Sequence, residues 1–176
     1  RSFGEWAHAV GLRSIDDVWR LYNGSSSSPR QIWNQMGTDL TLFCGLRAMV
    51  AGASANRSSP FYLNIFAYAV PFAYMGVMDV QYAVEGIDMW LAWGQSAATV
   101  GMGIDLPDEA IAVGAKFRAY LVHFARTGVP GDDWRPYPAT CEYETQLTCS
   151  EQNSHARACS IFEEELGREK FVLSLG

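Results

Sequence analysis

The spacing of hydrophobic residues changes several times along this chain, and each change marks an element boundary. In SIDDVWRLY (14–22), Ile15, Val18, Trp19 and Tyr22 recur at helical spacing on one face, with Ser14 placed to cap the first turn. Gly24 to Pro29, with four consecutive serines, reads as a surface loop. A longer helical region follows over 30–53. Thr38 is a candidate cap for its second part, where Leu40, Phe43, Cys44, Arg47, Ala48 and Val50 follow. Asn56 to Pro60 ends it. The pattern then alternates weakly in FYLNIFAY (61–68), which is rich in aromatic and β-branched residues and predicts a buried strand.

The apolar run from Pro60 to Val80 has nearly the length of a membrane span. Asn64, Pro71 and Gly76 interrupt it, so a strand followed by a turn accounts for it better. After the segment 74–94, residues 95–104 are small and Gly-rich, as in a loop. Asp105-Leu106-Pro107-Asp108-Glu109 is a helix entry, with proline in the first turn and acids at the positive end of the helix dipole. That helix carries Ile111, Val113, Ala115, Phe117, Tyr120, Leu121 and Phe124, and Gly128 stops it with Pro130 beyond. From Pro138 the chain turns polar. Cys141 and Cys149 bracket a short loop, and 156–166 predicts a last helix with Ile161, Phe162 and Leu166 inward.

Composition narrows the class. The chain has 176 residues, 49% of them hydrophobic and 13% aromatic, enough for an ordered core and against disorder. A net charge of −6 and the absence of a basic run argue against nucleic acid or an anionic membrane surface as partner. The chain opens on Arg1 with no signal peptide, which reads as a processed or partial product. Two Asn-x-Ser sequons, at Asn23 and Asn56, make those asparagines candidate glycosylation sites. Together with an even count of four cysteines, they favour a secreted, extracellular or lumenal oxidising compartment.

The cysteines do not have the spacing of a metal site. Cys44, Cys141, Cys149 and Cys159 form no CxxC, and His8, His123 and His155 are scattered. Disulfides are the better reading, with three possible pairings. No cofactor motif is present, so neither a metal nor a cofactor is expected. His123 is expected to be a half-buried structural histidine on its helix, and His8 and His155 to be exposed.

Phe124-Ala125-Arg126-Thr127-Gly128-Val129-Pro130, followed by Trp134-Arg135-Pro136-Tyr137, resembles the late signature of the type-B carboxylesterase and cholinesterase family. Further segments follow in family order. Thr38-Asp39 with Phe43-Cys44 is similar to the family's Thr-Asp-x-x-Phe-x-Cys pattern, with one spacing difference. Tyr62, Phe66 and Tyr68 loosely fit its Tyr-x-Tyr-x-Phe strand. Gly86-Ile87-Asp88 through Gly94, and Cys159 with Phe162, complete the set, so the matches span 38–162. The resemblance implies the α/β class: the C-terminal part of an α/β-hydrolase, mostly helical with one or two late sheet strands at about 61–68, as a single segment over 1–176. It also implies that Cys44 pairs with Cys159, which leaves Cys141 with Cys149.

The same resemblance locates the chemistry and shows what is missing. Family members use a serine on a nucleophile elbow, activated by a histidine that an acid orients. The chain has no Gly-x-Ser-x-Gly; Gly94-Gln95-Ser96 is the nearest string and lacks the second glycine. Glu85 stands at the family's histidine position, before Gly86-Ile87-Asp88. In an alternative register, Met75-Gly76-Val77-Met78-Asp79, the position falls on Asp79. A carboxylate, with an unperturbed pKa of about 4, is a poor base for a serine hydroxyl. Asp88 matches a structural acid of the motif, and Arg126 sits where a helix dipole favours a cation.

Three readings follow. The first is a non-catalytic esterase-like segment with a structural, assembly or recognition role. The second is part of an active carboxylic-ester hydrolase whose serine and oxyanion hole lie on a separate chain, completed by Glu85, Asp79 or a repositioned His123. The third is an independent small helical interaction domain. Under the first two, the expected partner is the N-terminal portion of the same esterase-like domain, on another chain or precursor segment, within a larger protein assembly.

Overall fold

A computed structural model of the chain describes residues 5, 8–9, 11–13, 15–23, 29–69, 83, 86–94, 103 and 105–167. Among these residues helix predominates, with one small three-stranded sheet, so the class is mixed helix and sheet. The elements are α1 (Ile15–Asn23), α2 (Pro29–Thr38), a π-helical turn (Asp39–Phe43), α3 (Cys44–Ser54), β1 (Leu63–Phe66), α4 (Ile87–Trp93), α5 (Asp108–Thr127), β2 (Thr140–Tyr143), β3 (Leu147–Ser150) and α6 (Ser154–Leu166). The chain divides into two compact units. One comprises 1–63, 136–140 and 150–176; the other comprises 64–135 and 141–149.

The first unit is helical. Val18 and Tyr22 of α1, Ile32 and Met36 of α2, Phe43 of the π-helical turn, and Ala158 and Phe162 of α6 are buried. Thr38 does not cap a new helix, as its sequence position predicts. Its backbone is helical (φ −60°, ψ −45°) and its side chain makes no capping bond. Helix runs through it into the π-helical turn, closed by the Cys44 amide donating to the Asp39 carbonyl. Such a turn carries one extra residue per hydrogen bond and occurs frequently at functional sites. Here Asp39, a charged residue in an apolar stretch, is fully buried. The predicted last helix begins earlier than 156: Asn153 caps α6, its Oδ1 accepting from the Ala156 amide at 2.8 Å.

The second unit packs α4 and α5 with the sheet. Ile87, Leu91 and Ala92 of α4 meet Leu106 and Ala110, Val113 and Phe117 of α5, together with Tyr68 and Tyr143. Gly114 permits the close approach of the two helices, because a Cβ there would collide with the Leu91 carbonyl. α5 has the predicted entry and exit. Asp108 and Glu109 occupy its first turn, and Gly128 closes it at φ 78° with its amide donating to the Phe124 carbonyl at 2.8 Å. The Phe117 and Tyr143 rings stack at 5.5 Å, and the Phe66 ring meets the Phe117 ring edge-on at 4.9 Å.

The strand order is β1-β2-β3. The predicted strand at 61–68 is shorter, Leu63–Phe66, although the Ala67 amide still donates to the Tyr143 carbonyl at 2.8 Å. The stretch from Cys141 to Cys149 is not a loop: it is a β-hairpin of β2 and β3 turning over 144–146. Its polar composition hid it. Only β2 is largely buried, while β3 is an edge whose residues alternate between half-buried and exposed. Among the described residues the sheet therefore has three strands, where one or two were expected.

Candidate functional site

The most concentrated polar chemistry among the described residues lies inside the helical unit. Asp39 projects its carboxylate from the π-helical turn into the core. Oδ2 accepts a hydrogen bond from the Tyr22 hydroxyl of α1 at 2.6 Å. Oδ1 meets Nδ1 of His155, at the start of α6. His155 is half-buried, with its ring 5.5 Å from that of Phe43. One carboxylate thus joins three segments far apart in sequence. Burial, followed by the Asp39 charge and its hydrogen bond, raises the Tyr22 pKa well above the ordinary tyrosine value, so the hydroxyl stays protonated and donates.

The Cys44–Cys159 disulfide fixes the same region, joining the first residue of α3 to α6 across a sequence separation of 115. Both cysteines are fully buried. Arg47 and Glu163 add a partly buried ion pair between the same two helices at 3.8 Å. An aspartate orienting a histidine is half of a hydrolytic triad. At this site, however, the second carboxylate oxygen is committed to Tyr22, and the pair sits beside a covalent cross-link between helices. The arrangement suits holding α1, the π-helical turn and α6 together.

The second unit carries Cys141–Cys149, a bridge between neighbouring strands with a sequence separation of 8. Near it, the buried Trp134 ring lies edge-on to Tyr120 at 5.5 Å, and the Tyr120 hydroxyl donates to Asp133 at 2.5 Å. The Phe124–Trp134 stretch therefore holds a helix stop and an aromatic anchor.

The candidate catalytic positions, Glu85 and Asp79, lie outside the described residues, as do Ser96 and the Asn23 side chain. Asp88 is half-buried in the first turn of α4, and Arg126 occupies the last turn of α5. Two histidine expectations are corrected. His123 is exposed, not half-buried: its Nδ1 lies 2.6 Å from the Val129 carbonyl, and the Thr127 hydroxyl donates to the His123 carbonyl, so both finish the end of α5. His155 is half-buried, not exposed, because the Asp39 carboxylate draws it inward. His8 is exposed. Sequence reasoning missed the Tyr22–Asp39–His155 cluster. The available signal was an aspartate with apolar residues at helical spacing on either side, Met36, Leu42 and Phe43, just ahead of Cys44.

Among the described residues no group of three or more His, Cys, Asp or Glu converges as metal ligands, and no helix is long and apolar enough to cross a membrane. Two disulfides are compatible with a secreted or lumenal protein. The family models, the curated proteins and the solved structures compared with this chain give no match.

Proposed function

We propose that this chain is an esterase-like segment that works without ester hydrolysis, as a structural and recognition element of a larger assembly. The observation that carries this reading is the carboxylate at the motif's histidine position, Glu85 in one register and Asp79 in the other. A carboxylate does not supply the base that a serine nucleophile needs near neutral pH. The two histidines with described ring contacts support it. His123 completes a helix end, and His155 belongs to a buried clasp beside a disulfide.

The assembly role draws support from a second feature. In the α4–α5 unit, Met89, Trp93, Leu121, Val122 and Phe124 are all exposed, and Trp93 is 75% exposed. Clustered apolar exposure of this kind marks an interaction surface more often than a free one. The proposed partner is the N-terminal portion of the same esterase-like domain, on a separate chain or precursor segment. The two disulfides agree with assembly in an oxidising secretory compartment.

Turnover of a p-nitrophenyl ester, with and without a serine-directed phosphonate, tests the catalytic half. The expected result is hydrolysis at the rate of the protein-free blank and no labelling by the phosphonate. Phosphonate-sensitive turnover would overturn the proposal in favour of an active hydrolase.

A further inference from the structure

We infer that Asn56 is the acceptor of an N-linked glycan, and that the inner sugars of that glycan lie over an exposed apolar stripe on α3. The sequon Asn56-Arg57-Ser58 stands just beyond the end of α3, and residues 55–60 are all exposed. A transferase must grip an acceptor peptide from outside, so a run of exposed residues around the asparagine is the first requirement. The second is room at the acceptor atom. The Asn56 carboxamide lies along the last turn, with Nδ2 donating to the Gly52 carbonyl at 3.1 Å. Gly52 has no side chain, and a Cβ built there would meet nothing within 4 Å. Asn56 and this hydrogen bond are exposed, so the carboxamide is open to solvent.

The chemistry fits that geometry. The donor is an oligosaccharide on a polyprenyl diphosphate. The Nδ2–C1 bond forms, the C1–O bond to the diphosphate breaks, and the amide proton lost from Nδ2 leaves with the diphosphate. Nδ2 keeps one hydrogen, enough to retain the bond to the Gly52 carbonyl.

What the glycan would cover follows from helical spacing. Leu42, Leu46 and Met49 are large, exposed and apolar. Leu46 and Met49 of α3, with Gly52 and Asn56, also exposed, recur at steps of three, three and four residues along one stripe, and Leu42 lies just before them in the π-helical turn. At the rise of an α-helix, Met49 lies about 10 Å along the axis from Asn56. Inner sugars with one apolar ring face can bridge that distance and screen the methionine. The stripe then needs no protein partner, in contrast to the apolar face of α5.

Secretion of the full chain from a eukaryotic cell, followed by release of N-glycans with an amidase in 18O-water, reads occupancy directly. Peptide mapping is expected to find Asn56 converted to 18O-labelled aspartate. Asn56→Gln and Ser58→Ala are both expected to lose the mass at this position. Ser58→Thr, which keeps the acceptor and the fold, is expected to retain it. A secreted protein with an unmodified Asn56 peptide, or with glycan on Asn23 alone, would overturn the assignment. Screening is read by an apolar dye. Native deglycosylation is expected to raise dye fluorescence, and Leu46→Gln combined with Met49→Gln to cancel the rise. Unchanged dye binding on deglycosylation would overturn the screening.

Discussion

The two units are held by different means although each has one disulfide. In the helical unit, a buried carboxylate and a long-range disulfide converge where α1, the π-helical turn, α3 and α6 meet. Its disulfide and its Asp39–His155 contact join residues more than a hundred positions apart. In the α4–α5 unit the cross-link is local, between adjacent strands of a hairpin, and cohesion comes from aromatic and aliphatic packing on one side of α5. The other side of that helix is exposed. The helical unit is tied by covalent and polar contacts of high sequence separation, whereas the second is tied by burial of one face. Removing a tie from each should therefore have unequal consequences.

The disulfides give the largest contrast. In the chain-entropy account, a bridge across more than a hundred residues stabilises by about 4–5 kcal/mol and one across fewer than ten by about 2–3 kcal/mol. Replacing Cys44 and Cys159 with alanine is expected to lower the denaturation midpoint by roughly twice as much as replacing Cys141 and Cys149. Urea titrations of the two double variants, followed by circular dichroism, measure both. Equal losses would show that unfolded-chain entropy does not distinguish the two units.

Asp39 comes next. Asp39→Ala removes the acceptor for both Tyr22 and His155 and leaves two polar groups in the core without it, a change that costs about 3–5 kcal/mol in comparable buried pairs. Asp39→Asn keeps an acceptor oxygen for one neighbour and should cost less, about 1–3 kcal/mol. The ranking matters more than the values. If both variants unfold at the wild-type midpoint, the cluster is not what holds the helical unit together. If only the alanine variant is destabilised, hydrogen bonding outweighs charge.

These contrasts were only partly legible in the sequence. α5 was legible because its signals agree: acids in the first turn, helical spacing through Phe117 and a glycine stop at Gly128. The predicted β1 strand was longer than the one formed, since an apolar aromatic run says little about where pairing ends. The β2–β3 hairpin was missed because its strands, Thr-Cys-Glu-Tyr and Leu-Thr-Cys-Ser, are four residues each, too short for their alternation to stand out in a polar stretch. The Asp39 cluster was missed for a different reason. Its three members stand at positions 22, 39 and 155, and no local pattern connects a tyrosine on a helical face with a histidine near the far end. Thr38 looked like a cap because its residue type favours capping, and the continuing helix overrode that preference.

The smallest expected effect is the sharpest test of how the second unit is built. α5 presents Phe117 to the core and Leu121 and Phe124 to solvent. Phe117→Ala should cost about 3–5 kcal/mol, because it empties the stack against Tyr143 and Phe66. Leu121→Gln and Phe124→Gln, one or two turns further along the same helix, should change stability by no more than about 0.5 kcal/mol, as exposed substitutions usually do. They should nonetheless reduce binding of an apolar dye, since each removes a large exposed hydrophobic side chain. Stability unchanged and dye binding reduced would mean that these residues are kept for contact with something outside the unit. A loss of stability comparable to that of Phe117→Ala would mean that this face is already engaged within it, and the proposed partner surface would have to be sought elsewhere.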